Sequence, residues 1–197
     1  IIVNIIERNF GVLIVKWKLI MSNAAMMMKF MNLKKIKKMG CILMKRKKVF
    51  LLCGCPGSGK STWVKEQLNK EEGVWCSRDA VRFSQLRDYD EYFDKEASVF
   101  DTWINQINQA IENKKGPANI YVDATHLSEK ARNKVLDKLN LKNVDIIPVS
   151  FLIPLGICFE RNDKREGRAV VPRSVIRKMY YSYKPPTYKE KYKYKKI

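Results

Sequence analysis

The chain has 197 residues, 46% hydrophobic and 30% charged, which suits one globular domain with its own core. Lys and Arg total 39 against 20 acidic residues, and a formal net charge of +19 points to a polyanionic partner, nucleic acid ahead of a membrane surface. One histidine, His126, and five cysteines without a C-x-x-C pair argue against a structural zinc site, and the odd cysteine count suggests reduced thiols in a cytoplasm.

Residues 1–43 differ in character from the rest. The chain opens on Ile1, and seven of its eight methionines fall within residues 1–44. Apolar runs there are broken by Lys16, Lys18 and Lys29, so no uncharged stretch reaches the ~18 residues a membrane span needs. We expect this segment to be upstream sequence translated in frame or a dispensable extension; the rival reading is a membrane-surface or partner-binding arm. Residues 44–197 keep 31 Lys and Arg against 19 acidic residues, a net +12, so the basic character belongs to the main body.

From Met44 the elements follow in order. Lys48–Cys53 is a short apolar run ending at glycine, the pattern of a buried parallel strand. A helix is expected from Thr62 to Asn69 and a second strand at Val74–Cys76. Between Glu91 and Lys114, Phe93, Ala97, Phe100, Ile104, Ile107 and Ile111 recur at spacings of three and four, the core-facing stripe of an amphipathic helix. Asn119–Val122 reads as a third strand, Ser128–Leu139 as a helix capped by Ser128, and Asp145–Leu152 as a fourth strand. Pro154 opens a helix running towards Arg161, and Pro172 opens another to about Tyr183. Strands alternating with helices predict an α/β three-layer sandwich, a parallel sheet of about four to five strands covered on both faces.

Between the first strand and its helix lies Gly54-Cys55-Pro56-Gly57-Ser58-Gly59-Lys60-Ser61, followed by Thr62, a full match to G-x-x-x-x-G-K-[ST]. Glycines let successive backbone N–H groups turn inward at a helix N-terminus, whose dipole also favours an anion. Lys60 is placed to reach the β- and γ-phosphates and the Ser61 hydroxyl to sit on Mg²⁺. The implied ligands are a nucleoside triphosphate and Mg²⁺. No N-K-x-D guanine-reading element is present, and three further clusters fall at strand or helix ends: CSRDAVR (76–82), YVDATH (121–126) and ERNDKREGRAVVP (160–172).

The set GCPGSGKSTW, SRDAVR, VDATH, RNDKREGRAVVP and RKMYYSY resembles the 5′-kinase domain of the bacteriophage polynucleotide kinase-phosphatase family over residues 44–183. The resemblance implies a phosphate-loop fold with an arginine-bearing lid, and transfer of the γ-phosphate of ATP to the 5′-hydroxyl of DNA or RNA. It implies Asp79 as general base, Arg82 as the grip on the acceptor's phosphate with Arg78 beside it, and Asp123 as an aspartate ending the third strand. Arg165 matches a lid arginine over the transferring phosphate, with Arg161 next to it. Two departures stand out: Ala80 replaces a second Asp often found after the base, and the lid is about one residue longer before Pro172. If the gene is phage-borne, the cytoplasm concerned is the host's.

The residues alone leave alternatives. Asp79 could be a helix cap. Arg161 and Arg165, four apart, would share one helix face and fork onto one phosphate, or be a pair of solvated arginines. Asp123 could hold a Mg²⁺-bound water or anchor an arginine, and His126 reads better as a packed residue than as a catalyst. Within these 197 residues there is no DxDGT-type phosphatase segment and no K-x-D-G ligase motif. Residues 184–197, with six lysines and three tyrosines, are either a basic aromatic tail for nucleic acid or a disordered solubilising one. The leading expectation is a polynucleotide 5′-hydroxyl kinase; the others are a small-molecule kinase and an ATP-switched nucleic-acid-binding module.

Overall fold

The computed structural model describes residues 46–192 and 194; the expectations for residues 1–43 lie outside them. Four strands form one parallel sheet in the order β2-β3-β1-β4: β1 (Lys47–Cys53), β2 (Gly73–Ser77), β3 (Asn119–Asp123) and β4 (Val144–Ser150). The helices are α1 (Lys60–Leu68), α2 (Arg78–Gln85), α3 (Glu96–Glu112), α4 (Glu129–Leu136), α5 (Leu155–Asp163) and α6 (Arg173–Ser182), with a 3₁₀ turn at Gly167–Ala169.

Alternation along β1 makes the layers. Val49, Leu51 and Cys53 pack with Val99, Trp103, Ile104 and Ile107 of α3 and with Val135 and Leu136 of α4. Phe50 and Leu52 point the other way, against Val64 of α1, Trp63 and Tyr121. With both faces covered, a strand must be apolar throughout, and β3 is buried from end to end. The result is the expected three-layer sandwich. A third, smaller cluster of Cys55, Cys158 and Ile176 ties the loop after β1 to α5 and α6.

Register brings the chemistry to one edge. Leu52 pairs with Asp123, Asp123 with Ser77, and Cys53 with Ser150, so the carboxyl ends of all four strands are level. Chain order reverses at β1, with β3 on one side and β4 on the other, and open α/β sheets bind ligands at such a point.

Several boundaries moved. α3 starts at Glu96, five residues later than its stripe implied, because residues 91–94 form turns in which Asp94 Oδ2 accepts from the Glu91 N–H. Phe93 is therefore 67% exposed and Ala97 also faces solvent, while Val99 and Trp103 complete the buried stripe. Ser128 caps α4 as expected, its hydroxyl accepting from the Ala131 N–H at 3.2 Å.

The division at residue 183 separates nothing structurally. Glu190 is buried, and its carboxylate accepts from Nε and Nη2 of the fully buried Arg132 on α4. Arg132 Nη1 also donates to the carbonyls of His126 and Lys184, both at 2.9 Å. Tyr183, Tyr192 and Tyr194 pack on the main core. The described part of the C-terminal segment is a strap, held where a lysine-rich composition suggested a free tail.

Candidate active site

The phosphate loop is shaped by two glycines with positive φ, Gly57 at +77° and Gly59 at +94°. A Cβ on Gly57 would meet the Cys158 carbonyl oxygen at 2.4 Å, and one on Gly59 would meet the Arg161 guanidinium at 3.0 Å. Glycine is required there both for backbone conformation and because α5 lies against the loop. α1 opens directly after Gly59, and no side chain caps its first turn. Its orphan N–H groups and dipole are left for an anion.

Gly57, Ser58, Gly59, Lys60, Ser61 and Thr62 line a cleft of about 480 Å³. Trp63, Glu66, Arg161 and Arg165 complete its wall. The other loop residues have different tasks. The Gly54 N–H donates to the Thr125 carbonyl at 2.9 Å, Cys55 is buried with its Sγ 3.3 Å from that of Cys158, and Pro56 is half-buried.

Lys60 Nζ donates to the carbonyls of Gly54 (3.0 Å) and Cys55 (2.8 Å). Burial lowers its pKa, a shift opposed by the nearby Asp123 carboxylate. Asp123, level with the end of β1, is also buried, and that burial raises its pKa against the pull of Lys60 and of hydrogen bonds from Ser61 and Trp75. Ser61 Oγ donates to Asp123 Oδ2 at 3.0 Å and Trp75 Nε1 at 3.1 Å. Among the described residues Asp123 has no arginine partner, so of the two sequence readings the one that anchored an arginine falls away.

Asp79 lies in the first turn of α2 without capping it: Ser77 does that, its Oγ accepting from the Ala80 N–H at 3.2 Å. The Asp79 side chain is 63% exposed, with Oδ1 accepting from Arg82 Nη1 (2.5 Å) and the Tyr92 hydroxyl (3.1 Å). Arg82 is buried. Its Nη2 donates to Glu96 Oε2 at 2.7 Å, and its guanidinium lies 4.5 Å from the Tyr92 ring centroid. Arg78 is bound to the other oxygen of Glu96. Both arginines assigned to the acceptor thus already have carboxylate partners, Arg82 in Asp79 and Glu96 and Arg78 in Glu96.

Arg161 and Arg165 meet at the cleft by a different route from the one their spacing implied. α5 ends at Asp163, and the Arg165 N–H donates to the Asn162 carbonyl in the turn that follows, so the two arginines do not share a helix face. The buried Asn162 fastens this lid: its Nδ2 donates to the Val171 carbonyl (2.8 Å), and its Oδ1 accepts from the Val171 N–H (3.0 Å).

Sequence reasoning missed Glu96, Tyr92, Trp75 and Asn162. Three of them lie outside the motifs that were singled out, and an isolated polar or aromatic residue gives no local sign that it orients another. His126 is packed, buried against Trp103 with its Nδ1–H donating to the Leu52 carbonyl at 2.7 Å. Among the described residues no group of three or more His, Cys, Asp or Glu is arranged to hold a metal, and no helix is long and apolar enough to cross a membrane.

A family described as AAA domain matches residues 49–186. A chain from the structure of the Pnkp1/Rnl/Hen1 RNA repair complex is 26% identical with a TM-score of 0.60, covering 70% of this chain and 44% of its own length. A chain from a second structure of that complex is 25% identical with a TM-score of 0.51, covering 59% of this chain and 39% of its own. This chain thus spans under half the length of those relatives. A sugar kinase from Janibacter sp. HTCC2649 shares the fold at 15% identity, with a TM-score of 0.51 and coverage of 74% and 82%. The fold is that of phosphate-loop kinases, and the loop is a nucleotide-binding element.

Proposed function

Since the chain belongs to the AAA domain family (AAA_33), we propose that it transfers the γ-phosphate of ATP to the 5′-hydroxyl end of a DNA or RNA strand. The observation that carries this reading is Asp79, an exposed carboxylate aimed by Arg82 and Tyr92, just after a strand end level with the one that feeds the phosphate loop. A polynucleotide acceptor is favoured by the net +12 of residues 44–197 and by the likeness to chains of an RNA repair complex.

In this reading the loop N–H groups and Lys60 hold the β- and γ-phosphates, while Arg161 and Arg165 neutralise charge on the transferring group. Asp79 accepts the proton as the 5′-oxygen bonds to phosphorus and the bond to the ADP oxygen breaks. Ser61 and Asp123 offer the hard oxygen donors that Mg²⁺ prefers alongside water and substrate phosphates, so these two residues would hold it. When bound, Mg²⁺ supplies charge neutralisation on the phosphate oxygens.

The self-neutralised cluster of Arg78, Arg82, Glu96 and Asp79 favours a second reading, a small and weakly charged acceptor, because it offers little free positive charge. The test is labelled ATP offered with 5′-hydroxyl oligonucleotides beside nucleosides, sugars and small alcohols. Label on the oligonucleotide 5′ end is the expected result. Label only on a small alcohol or sugar would replace the reading with the second one.

A further inference from the structure

An aromatic cluster stands exposed beside Asp79. Phe83 lies four residues after Asp79 on α2, hence on the same helix face, and is 39% exposed. Its ring meets Tyr92 edge-on at 6.3 Å, and Tyr92 meets the 67% exposed Phe93 edge-on at 4.8 Å. Isolated apolar residues on a surface need no explanation, whereas rings in mutual contact around a reactive group do. Tyr92 joins the cluster to the chemistry, since its hydroxyl donates to Asp79 Oδ1. The lid reaches the same loop, with Arg168 Nη2 donating to the Asp88 carbonyl.

Charge decides what such a surface can take. Residues 86–95 carry Asp88, Asp90, Glu91 and Asp94 against only Arg87 and Lys95, a poor place for a phosphate. The Arg82 guanidinium is already committed to Asp79 and Glu96 and lies over Tyr92 at 4.5 Å and, more distantly, over Phe93 at 5.8 Å. What remains open is an apolar corner of rings set edge to face, in which the 67% exposed Phe93 is the ring most open to solvent, and the neutral planar group of an acceptor that carries its hydroxyl nearby is a nucleobase.

We propose that Phe93, braced edge-on by Tyr92 with Phe83 beyond it, is the ring on which the nucleobase of the acceptor's 5′-terminal nucleotide stacks, setting its hydroxyl against Asp79. This rests on the polynucleotide reading. It adds that the enzyme recognises the terminal base by its π-face, without regard to sequence, and that Phe93 is an acceptor-binding residue that takes no part in proton transfer.

The experiment is a cycle of two proteins and two acceptors: the full chain and its Phe93→Ala variant, each with a 5′-hydroxyl oligonucleotide carrying an intact or an abasic terminal nucleotide. Phe93→Ala should raise KM for the intact end roughly tenfold with kcat little changed, and the abasic end should show a similar penalty with the unaltered protein. Combining the two should cost little more than either alone, because both remove one contact. Phe93 is exposed, so melting temperatures should match. Equal KM for intact and abasic ends, or a penalty from Phe93→Ala that is the same for both, overturns the stacking and leaves the kinase reading standing. No transfer to any oligonucleotide overturns both.

Discussion

The Ser61 hydroxyl donates to Asp123 Oδ2 across 3.0 Å, joining the first turn of α1 to the end of β3. The same oxygen accepts from the Trp75 indole, so one buried carboxylate fixes the position of the loop's serine relative to two strands. Asp123→Asn keeps an oxygen for both donors and removes the charge, so the fold should survive. Activity should then need about tenfold or more additional Mg²⁺, the usual effect of altering a group that orients a metal ligand. A Mg²⁺ titration of both proteins measures this; coincident curves would exclude Asp123 from the metal site.

Lys60 is buried, yet its ammonium binds only loop atoms, the carbonyls of Gly54 and Cys55 and the Ser58 hydroxyl. Burial already works against its charge, and Met keeps the length of the buried stem. Lys60→Met should therefore abolish phosphoryl transfer while shifting the melting temperature by no more than about 4 °C, the equivalent of roughly 1 kcal/mol in a domain of this size. Calorimetry with ATP and a thermal melt of the ligand-free protein separate the two effects; a large destabilisation would make Lys60 a structural residue.

Asp79 and Arg82 should behave differently from each other. A carboxylate positioned to take a hydroxyl proton contributes about a hundredfold or more, so Asp79→Asn should lower kcat at least that far with ATP binding unchanged. Arg82, bound to Asp79, Tyr92 and Glu96, supports the site as well as filling it. Arg82→Ala should both reduce activity and lower the melting temperature by about 5 °C, since it leaves Glu96 half-neutralised. Steady-state kinetics with ATP and acceptor varied separately, alongside melts, read both; an Arg82→Ala protein as stable as the parent would return Arg82 to the role of a free acceptor grip.

The strap gives a stability prediction. Burial would raise the Glu190 pKa, but hydrogen bonds from Arg132 and Tyr194 outweigh it and hold the carboxyl below its ordinary value. Removing one member of a buried ion pair costs about 3–5 kcal/mol, so Glu190→Gln should lower the melting temperature by about 10 °C. Deleting residues 184–197 should do at least as much, because Tyr192 and Tyr194 leave with the carboxylate. A truncated chain that melts like the full one would show the strap to be dispensable.

What sequence made legible was local. The phosphate loop, the four strands and the Ser128 cap each follow from a few adjacent residues whose backbone demands are specific. What it hid was long-range. Nothing near Glu96 shows that it will bind arginines 14 and 18 positions earlier, and nothing in a lysine-rich end shows that one glutamate will be buried on Arg132. Helical spacing alone set Arg161 and Arg165 on one face and Phe93 on α3; a helix ending at Asp163 and turns at residues 91–94 decided otherwise.

His126 supplies the last prediction, through pH. Its Nδ1–H donates to Leu52, and Nε2 is buried without a partner. Protonation would place an unpaired charged N–H in the core, so burial depresses the pKa from 6.5 to about 4 despite the bond to Leu52. In the unfolded chain the imidazole takes up its proton near pH 6.5, while the folded protein refuses it until about pH 4. The unfolded state binds more protons throughout that window, so stability must fall as pH drops through it, by about 3 kcal/mol in all. His126→Asn keeps a residue tolerant of the positive φ of 44° found here and removes the titration. Melting temperatures from pH 7 to pH 4 should decline steeply for the parent protein and more gently for the variant. Parallel curves would mean that the acid sensitivity arises elsewhere, with the Glu190 carboxylate, whose contribution is lost as pH falls below 4.5, the next group to test.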